Sequence, residues 1–245
     1  LLILAVLFIV SGITNSKAQI IKKVEPPNWW VGMENQELQI MLYGDNIAAY
    51  DISISNNELI QSVQKVENSN YVFLNLEFPQ NLESQTINIL IKKTGDLIES
   101  FPYELKNRKK NQNHHQGFDN SDVIYLLMPD RFANGDLKND NITGLHEKVN
   151  RNNPDGRHGG DIQGIINHLS YLDELGITAL WINPLLENNQ EKYTYHGYAI
   201  TDFYNIDARF GNNEKYMEFV EKAHNKGLKI IMEVVLNHCG INQWW

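Results

Sequence analysis

Three continuous apolar runs, alternating with stretches of helical periodicity, constrain the C-terminal half of this chain more than any other feature. VIYLLMP (123–129), ITALWINPLL (177–186) and LKIIMEVVLNH (228–238) are apolar nearly throughout. A strand that alternates polar and apolar residues can leave one face in water, whereas a strand apolar on both faces has to be covered on both. DIQGIINHLSYLDELG (161–176) is apolar at 162, 165, 166, 169, 172 and 175 and closes at Gly176. That stripe predicts a helix. NEKYMEFVEKAHNKG (213–227) predicts a second helix, ending at Gly227. Strand, helix, strand, helix, strand with buried strands is the pattern of a parallel sheet covered by helices. The long segments follow the strands, where a (β/α) barrel keeps its chemistry, and a complete barrel takes ~250 residues. Residues 122–245 supply about half of that, so they read as the first half of a (β/α)8 TIM barrel, truncated after strand 3.

The N-terminal half has a different texture. IIKKVEP, ELQIMLYG, AAYDISIS, YVFLNLEF, TINILIKK and SFPYELK are short, β-branched or aromatic, and partly alternating. Turn residues such as Gly44-Asp45-Asn46 and Gly95-Asp96 separate them. Short strands at this spacing predict an Ig-like β-sandwich over 19–105. Residues 106–121 (NRKKNQNHHQGFDNSD) are polar and read as a linker, with His114-His115 as solvated loop rather than a metal tract. A length of 245 residues fits one to two domains.

LLILAVLFIV (1–10) is followed by SGITNSKAQ, with Ser16-Lys17-Ala18 as a small-x-small site. A run of ~7–15 apolar residues ending so is a secretory signal, here 1–18 with its start missing. It is short of the ~20 residues a membrane span needs. The other reading is a buried element at a domain edge. The first residue is Leu rather than Met, and Trp244-Trp245 follow with no closing element, so the chain is expected to be a piece of a longer, exported protein. The sole cysteine, Cys239, excludes an internal disulfide framework and lies far from residue 18, which disfavours a lipid anchor. The net charge of −9 argues against a nucleic-acid or anionic-membrane surface, which needs clustered Lys and Arg.

Four constellations carry chemistry. PDRFANGDLKND (129–140) holds Asn134, Asp136, Asn139 and Asp140 around Gly135. Calcium takes six to eight oxygens, and these side chains supply several; the other reading is a set of Asn/Asp turns. In HGGDIQG (158–164), Gly159-Gly160 permits close backbone approach. Asp161 there is either a helix N-cap or, with the Gly159 carbonyl, the rest of a metal shell. YTYHGYAITDFYNID (193–207) clusters tyrosines about His196, suited either to stacking on sugar rings or to packing under a lid. EVVLNHCG (233–240) places Asn237 and His238 at a strand exit, which in a barrel reads as active-site rim. No nucleophile elbow, P-loop, dinucleotide fingerprint or zinc cluster occurs.

Taken together and in order, MPDRFANGD, HGGDIQGI, GITALWINP, YHGYAITDFYNID, RFG and EVVLNH resemble the α-amylase family of glycoside hydrolases, family 13. The nearest type is the neopullulanase and cyclomaltodextrinase group that Bacteroidetes export to the periplasm. VEPPNWWVGMENQELQIMLYG (24–44) resembles the β-sandwich that precedes their barrel. The resemblance implies that Asn134, Asp136, Asn139, Asp140, the Gly159 carbonyl and Asp161 bind a structural Ca2+. It implies that Tyr198 stacks on the sugar before the scissile bond, with His196 beside it, and that His238 bonds that sugar's hydroxymethyl group. Position 233 is Glu where the family has Asp, a change of one methylene in a carboxylate that orients the catalytic groups. The family's nucleophile, general acid and third carboxylate come from the fourth, fifth and seventh strands, so no catalytic residue is expected in these 245 residues.

The preferred reading is the N-terminal piece of a retaining, exported hydrolase acting on an α-glucan: maltooligosaccharide, cyclodextrin or pullulan. The fragment alone is expected to be inactive. A rival is a non-catalytic glucan-binding protein of the same fold. Trp29-Trp30 reads as sandwich core or as a self-association surface that would give a homodimer through the N-terminal domain. Residues 120–245 made alone are expected to aggregate, since three strands of an unclosed barrel leave sheet edges and apolar faces uncovered.

Overall fold

The structure, a computed structural model, describes residues 19–108 and 117–245. The expected signal (1–18) and His114-His115 lie outside the described residues. The chain divides into two compact units, residues 1–110 and 111–245.

In the first unit, two four-stranded sheets face each other. One runs β1 (Lys23–Glu25), β3 (Glu37–Tyr43), β6 (Tyr71–Glu77), β5 (Ile60–Lys65). The other runs β2 (Trp29–Val31), β8 (Asp96–Asn107), β7 (Gln85–Lys93), β4 (Asp51–Ile54). Alternation decides which side chains go in. Leu38, Ile40 and Leu42 of β3 lie opposite Leu76, Leu74 and Val72 of β6, and all six are buried. Ile87, Ile89 and Ile91 of β7 join them from the second sheet. β2 and β5 were not expected. β5 (IQSVQK) is an edge strand with no fully buried residue, so it has no hydrophobic period to betray it. β8 runs through Asn107, two residues into the stretch read as linker. The tryptophans divide: Trp29 packs on the core, while Trp30 stays 40% exposed.

The second unit is built on a parallel sheet in the order β13 (Lys229–Met232), β10 (Ala179–Ile182), β9 (Ile124–Leu127). One short turn, α1 (Pro129–Phe132), follows β9. The helix expected over 161–176 is divided into α2 (Ile162–Asn167) and α3 (Leu169–Glu174). The cause is His168: its ring Nδ1 pairs with the Gly164 carbonyl at 2.7 Å, the partner its own N–H would take in an unbroken helix. The stripe survives, with Ile162, Ile165, Leu169 and Leu172 all buried, while Leu175 is exposed. β11 (Leu186–Glu187) and β12 (Asp202–Ile206) form a small antiparallel ladder that pins both ends of the segment between them. α4 (Asn213–His224) starts at Asn212, whose side chain accepts the Lys215 N–H.

The third strand was expected over 228–238, and only four residues of it form. β13 pairs with β10 as far as Ile182, where Asn183-Pro184 follows. Pro184 has no N–H to donate, so the ladder stops there and residues 233–238 leave the sheet as a loop. Leu127, Leu180 and Ile182 pack with the helices in one core. On the other side of the sheet, Ile124, Leu126 and Trp181 are exposed. Among the described residues no helix is long and apolar enough to cross a membrane.

The strand starts are stapled by one carboxylate. Asp122 accepts the Lys229 ammonium at 2.7 Å, the Thr178 hydroxyl at 2.8 Å and the Asp119 N–H at 2.8 Å. Thr178 in turn accepts the Val123 N–H. The Lys229 bond above all, then the Asp119 and Thr178 bonds, lowers the Asp122 pKa from 3.8 to about 2. A depressed carboxylate pKa stabilises the fold above its unfolded value, and that contribution is lost as pH falls through its folded value. Asp122→Asn is therefore expected to lower the melting temperature at neutral pH. Its deficit relative to the parent chain should persist down to pH 3.8 and close toward pH 2, as read by thermal melts across an acid series; a deficit independent of pH would contradict the staple.

Candidate functional site

The site is assembled from three segments that leave the C-terminal ends of the parallel strands. The first follows β9. Asp130, on α1, is 1% exposed and accepts the N–H groups of His158 (2.8 Å) and Gly159 (3.2 Å). It thereby draws the turn at 158–160 onto the first loop. The turn needs its glycines. A Cβ on Gly160 would collide with the Pro129 carbonyl, and one on Gly159, at φ +85°, with the Asp140 Oδ1. Asp161 is the N-cap of α2, the local role its position suggests, and it does more. Its Oδ1 accepts Gly164 N (2.6 Å) and Gly135 N (3.0 Å), and its Oδ2 accepts Asp136 N (2.8 Å) and Asn139 Nδ2 (3.0 Å).

All six residues proposed for a cation therefore gather around this turn. Asn134 Nδ2 donates to Asp140 Oδ1 at 2.6 Å, with Gly159 packed against both. The Oδ1 atoms of Asn134 and Asn139 are buried without a partner. Such orphaned acceptors are costly, and a cation or a water would relieve them. Arg151 approaches Asp140 at 3.8 Å. Among the described residues no group of three His, Cys, Asp or Glu is arranged for a metal. A cation here would draw on amide and carbonyl oxygens beside the carboxylates of Asp136 and Asp140.

The second segment lies between β11 and β12. A 3-10 turn, Thr194–His196, carries the aromatic cluster. Thr194 is gripped from three directions: Glu147 Oε2 accepts its N–H and its hydroxyl at 2.7 Å each, and Arg157 and Asn188 donate to its carbonyl. Gly197 takes φ +81°, and a Cβ there would strike the Pro184 carbonyl. His196 Nδ1 accepts the Tyr198 N–H at 2.9 Å. Burial lowers the His196 pKa, so at neutral pH the ring is uncharged with its proton on Nε2. The His196 and Tyr198 rings lie 5.7 Å apart, tilted by 33°, and the Arg131 guanidinium covers the Tyr195 ring at 4.2 Å.

The third segment follows β13. His238 bonds the Tyr198 carbonyl through Nε2 at 2.8 Å, which leaves Nδ1 as its open acceptor. Glu233, read from sequence as lying within the strand, sits one residue past its end. It accepts the Trp181 indole N–H at 2.8 Å. Burial first, and then the hydrogen bond and charge of Glu233, raise the Tyr198 phenol pKa. His196, Tyr198 and His238 are thus brought together, whereas Asn237 is exposed at the rim.

Beneath these loops lies a buried ionic network that the sequence did not announce. Arg209 makes a bidentate bond to Asp207 (2.9 and 2.7 Å) and also donates to the carbonyls of Glu147 and Asn188. Burial alone would raise the Asp207 pKa, but the bonds and charge of Arg209 outweigh it and the net shift is downward. Arg157, fully buried, lies over the Phe210 ring at 4.6 Å. The only local signal for this network was Asp207 and Arg209 two apart; Asp130, Glu147 and Arg157 acquire their roles over tens of residues.

Residues 126–245 match the alpha amylase catalytic domain, and residues 23–109 match the cyclomaltodextrinase N-terminal domain. The second unit is thus one of the α-amylase family. Over 119 residues it is 49% identical to a beta/alpha-amylase of Paenibacillus polymyxa, covering 48% of this chain and 10% of that protein. It is 41% identical over 120 residues to a cyclomaltodextrinase of Thermoanaerobacter pseudethanolicus, covering 48% and 20%. A periplasmic alpha-amylase of Escherichia coli is 38% identical over 135 residues, covering 48% and 19%. A crystal structure of an Anoxybacillus alpha-amylase is 43% identical with a TM-score of 0.46, covering 51% of this chain and 26% of that one. The matched part of this chain spans only a tenth to a fifth of those three relatives' length. Within this α-amylase-family unit β10, β13, the second half of β9 and all three site segments fall inside the matched residues, and the sandwich corresponds to the second match.

Two outcomes follow from the geometry. Asp161→Ala strips four N–H groups of their acceptor and is expected to destabilise the second unit by at least about 2 kcal/mol, more than a lone N-cap; urea melts measure it. Glu233→Gln removes the charge beside Tyr198, so the Tyr198 phenol pKa should fall. Ultraviolet pH titration, with Tyr198→Phe identifying the signal, would show it, and an unchanged titration would exclude the contact.

Proposed function

We propose that the intact protein is an exported glycoside hydrolase that cleaves α-1,4-glucosidic bonds of maltooligosaccharides, cyclodextrins or pullulan with retention. These 245 residues would hold its sugar-gripping loops. The observation that carries the reading is the meeting of His196, Tyr198 and His238 at the exits of β10 and β13, with His238 bonded to the Tyr198 carbonyl. An aromatic face beside ring nitrogens of defined tautomer suits a sugar, which presents an apolar face and a rim of hydroxyls. Relatives named cyclomaltodextrinase, neopullulanase and maltogenic alpha-amylase support the substrate class, and one named periplasmic supports export.

Retaining hydrolysis uses two carboxyl groups ~5–5.5 Å apart, one as nucleophile and one as acid. The resemblance assigns them to later strands, so the polypeptide of 245 residues should release no reducing sugar by itself. Its own residues bind and orient: Tyr198 offers its ring, His238 its Nδ1, and Glu233 restrains the Tyr198 phenol.

Calcium belongs to the same reading. The orphaned oxygens of Asn134 and Asn139, with Asp136, Asp140 and the Gly159 carbonyl, form a hard-oxygen donor set of the kind Ca2+ takes. Asp161 would join only by exchanging one of its four N–H bonds. The ion would supply charge neutralisation and rigidity to the loop, not activation of water. Self-association through the sandwich, with Trp30 at its surface, completes the reading and is checked by light scattering of residues 19–108.

Two measurements test it on the 245-residue chain. Tyr198→Ala and His238→Ala should each weaken maltotriose binding about tenfold in calorimetry, a loss of about 1.4 kcal/mol; unaltered binding would remove the sugar site. Calcium at a hundred times its dissociation constant should stabilise the chain by about 2.7 kcal/mol, and Asp140→Asn should abolish the gain. A melt indifferent to calcium would reject the ion.

A further inference from the structure

Thr194, fully buried, heads the turn that carries His196, and the bonds that hold it are unequal. Arg157 and Asn188 reach its carbonyl at 3.4 and 3.3 Å, and Arg157 reaches its hydroxyl at 3.3 Å. These are longer than the ~2.7–3.2 Å of ordinary N–H···O bonds. Glu147 Oε2 accepts both the Thr194 N–H and its hydroxyl at 2.7 Å. A carboxylate acceptor makes such bonds roughly twice as strong as neutral ones. The grip on the turn is therefore chiefly that of Glu147, a half-buried residue 47 positions away in the chain. Glu147 is itself tied down. Arg209 donates to its carbonyl at 3.1 Å, and the N–H of the preceding His146 donates to Asn189 Oδ1 at 2.9 Å.

The same carboxylate bears on the His196 ring. Burial lowers the His196 pKa, and the negative charge of Glu147 opposes that shift. The other groups around the ring are Tyr195, edge-on to it, and Tyr198, with His238 on the far side of the Tyr198 carbonyl. Glu191 and Lys192, of opposite sign, line the same pocket as His196. His196 Nδ1 is the acceptor of the Tyr198 N–H. Protonating the ring puts a hydrogen on that nitrogen and removes the acceptor. Acid therefore loosens Tyr198 from His196, and the charge of Glu147 brings that loss closer to neutral pH.

We infer that Glu147 is a positioning residue for the sugar site, which sets the place of His196 and Tyr198 through Thr194 and whose charge governs the acid limit of sugar binding. The inference rests on the α-glucan reading above and adds to it a residue that acts through Thr194.

Calorimetry of the 245-residue chain with maltotriose, from neutral pH into the acid range, tests this, with thermal melts to check that each variant is folded. Glu147→Ala removes both bonds and the charge, and is expected to lower maltotriose affinity about tenfold at neutral pH. Glu147→Gln keeps an oxygen able to accept both Thr194 bonds, since one oxygen takes both in the parent. It should bind within about twofold of the parent at neutral pH. Lacking the charge, it should titrate His196 at lower pH and retain maltotriose affinity further into acid, with NMR of the His196 ring reading the first effect. A glutamate with a merely structural role would leave that acid limb in place. Parent-like affinity in folded Glu147→Ala, or an unmoved acid limb and His196 titration in Glu147→Gln, would overturn the inference while leaving the sugar site intact. Failure of the parent chain to bind maltotriose would overturn the α-glucan reading itself, and the inference with it. Should Glu147→Ala fail to fold, the acid limb of Glu147→Gln decides.

Discussion

A single carboxylate accepting four N–H groups, that of Asp161, underlies the arrangement of the second unit. Helix starts leave N–H groups without partners, and a loop folded against such a start adds more. Asp161 satisfies the Gly164 N–H of α2 and, from the other side, the Gly135 and Asp136 N–H groups and the Asn139 amide. The 134–140 loop is therefore held on the helix start by hydrogen bonds rather than by an apolar core of its own. Asp130 repeats the device at the next turn, on His158 and Gly159.

From there the restraint passes to the aromatic loop. Arg157 precedes the turn that Asp130 holds, and its guanidinium reaches Thr194. Glu147 holds the same threonine, and Arg209 holds the Glu147 carbonyl. Segments distant in sequence thus converge on the residue that heads the turn bearing His196. Charges buried this deeply persist because they are paired: Asp207 and Arg209 satisfy each other bidentately. Arg157 is less complete, since its Nε and Nη2 lack hydrogen-bond partners and Asp130 stands 3.8 Å away. Desolvation accordingly lowers its pKa.

Much of the architecture was legible because burial imposes a period. The β3, β6 and β7 alternation and the 162–172 stripe follow from one side facing a core. Elements without that constraint escaped: β5 at a sheet edge, β2 with three residues, and the break at His168, where a side chain competes for a backbone carbonyl. The overlong third strand has the same origin. Its length depends on a partner, β10, that ends at Ile182, just before Asn183-Pro184, and no pattern within 228–238 contains that information. The candidate site was legible as motifs, since Asn134, Asp136, Asn139, Asp140, Asp161, His196, Tyr198 and His238 stand in short recognisable runs. Their supports, Asp130, Glu147 and Arg157, were not, because each is a common residue in an unremarkable stretch.

The sequence by itself determined the two-part organisation, the parallel strands with their helices, the family and the residue types available at the loop ends. The organisation and the elements depend on composition and periodicity over short windows, where each residue's neighbours in the chain set its environment; the family came from the resemblance of an ordered set of motifs. Only the tertiary structure decided that His238 reaches the Tyr198 backbone, that Glu233 bonds Trp181, and that Glu147 grips Thr194. Those are contacts between chain segments whose separation in space is set by sheet register and loop closure, and hydrogen bonding is sensitive to tenths of an ångström that no linear pattern encodes.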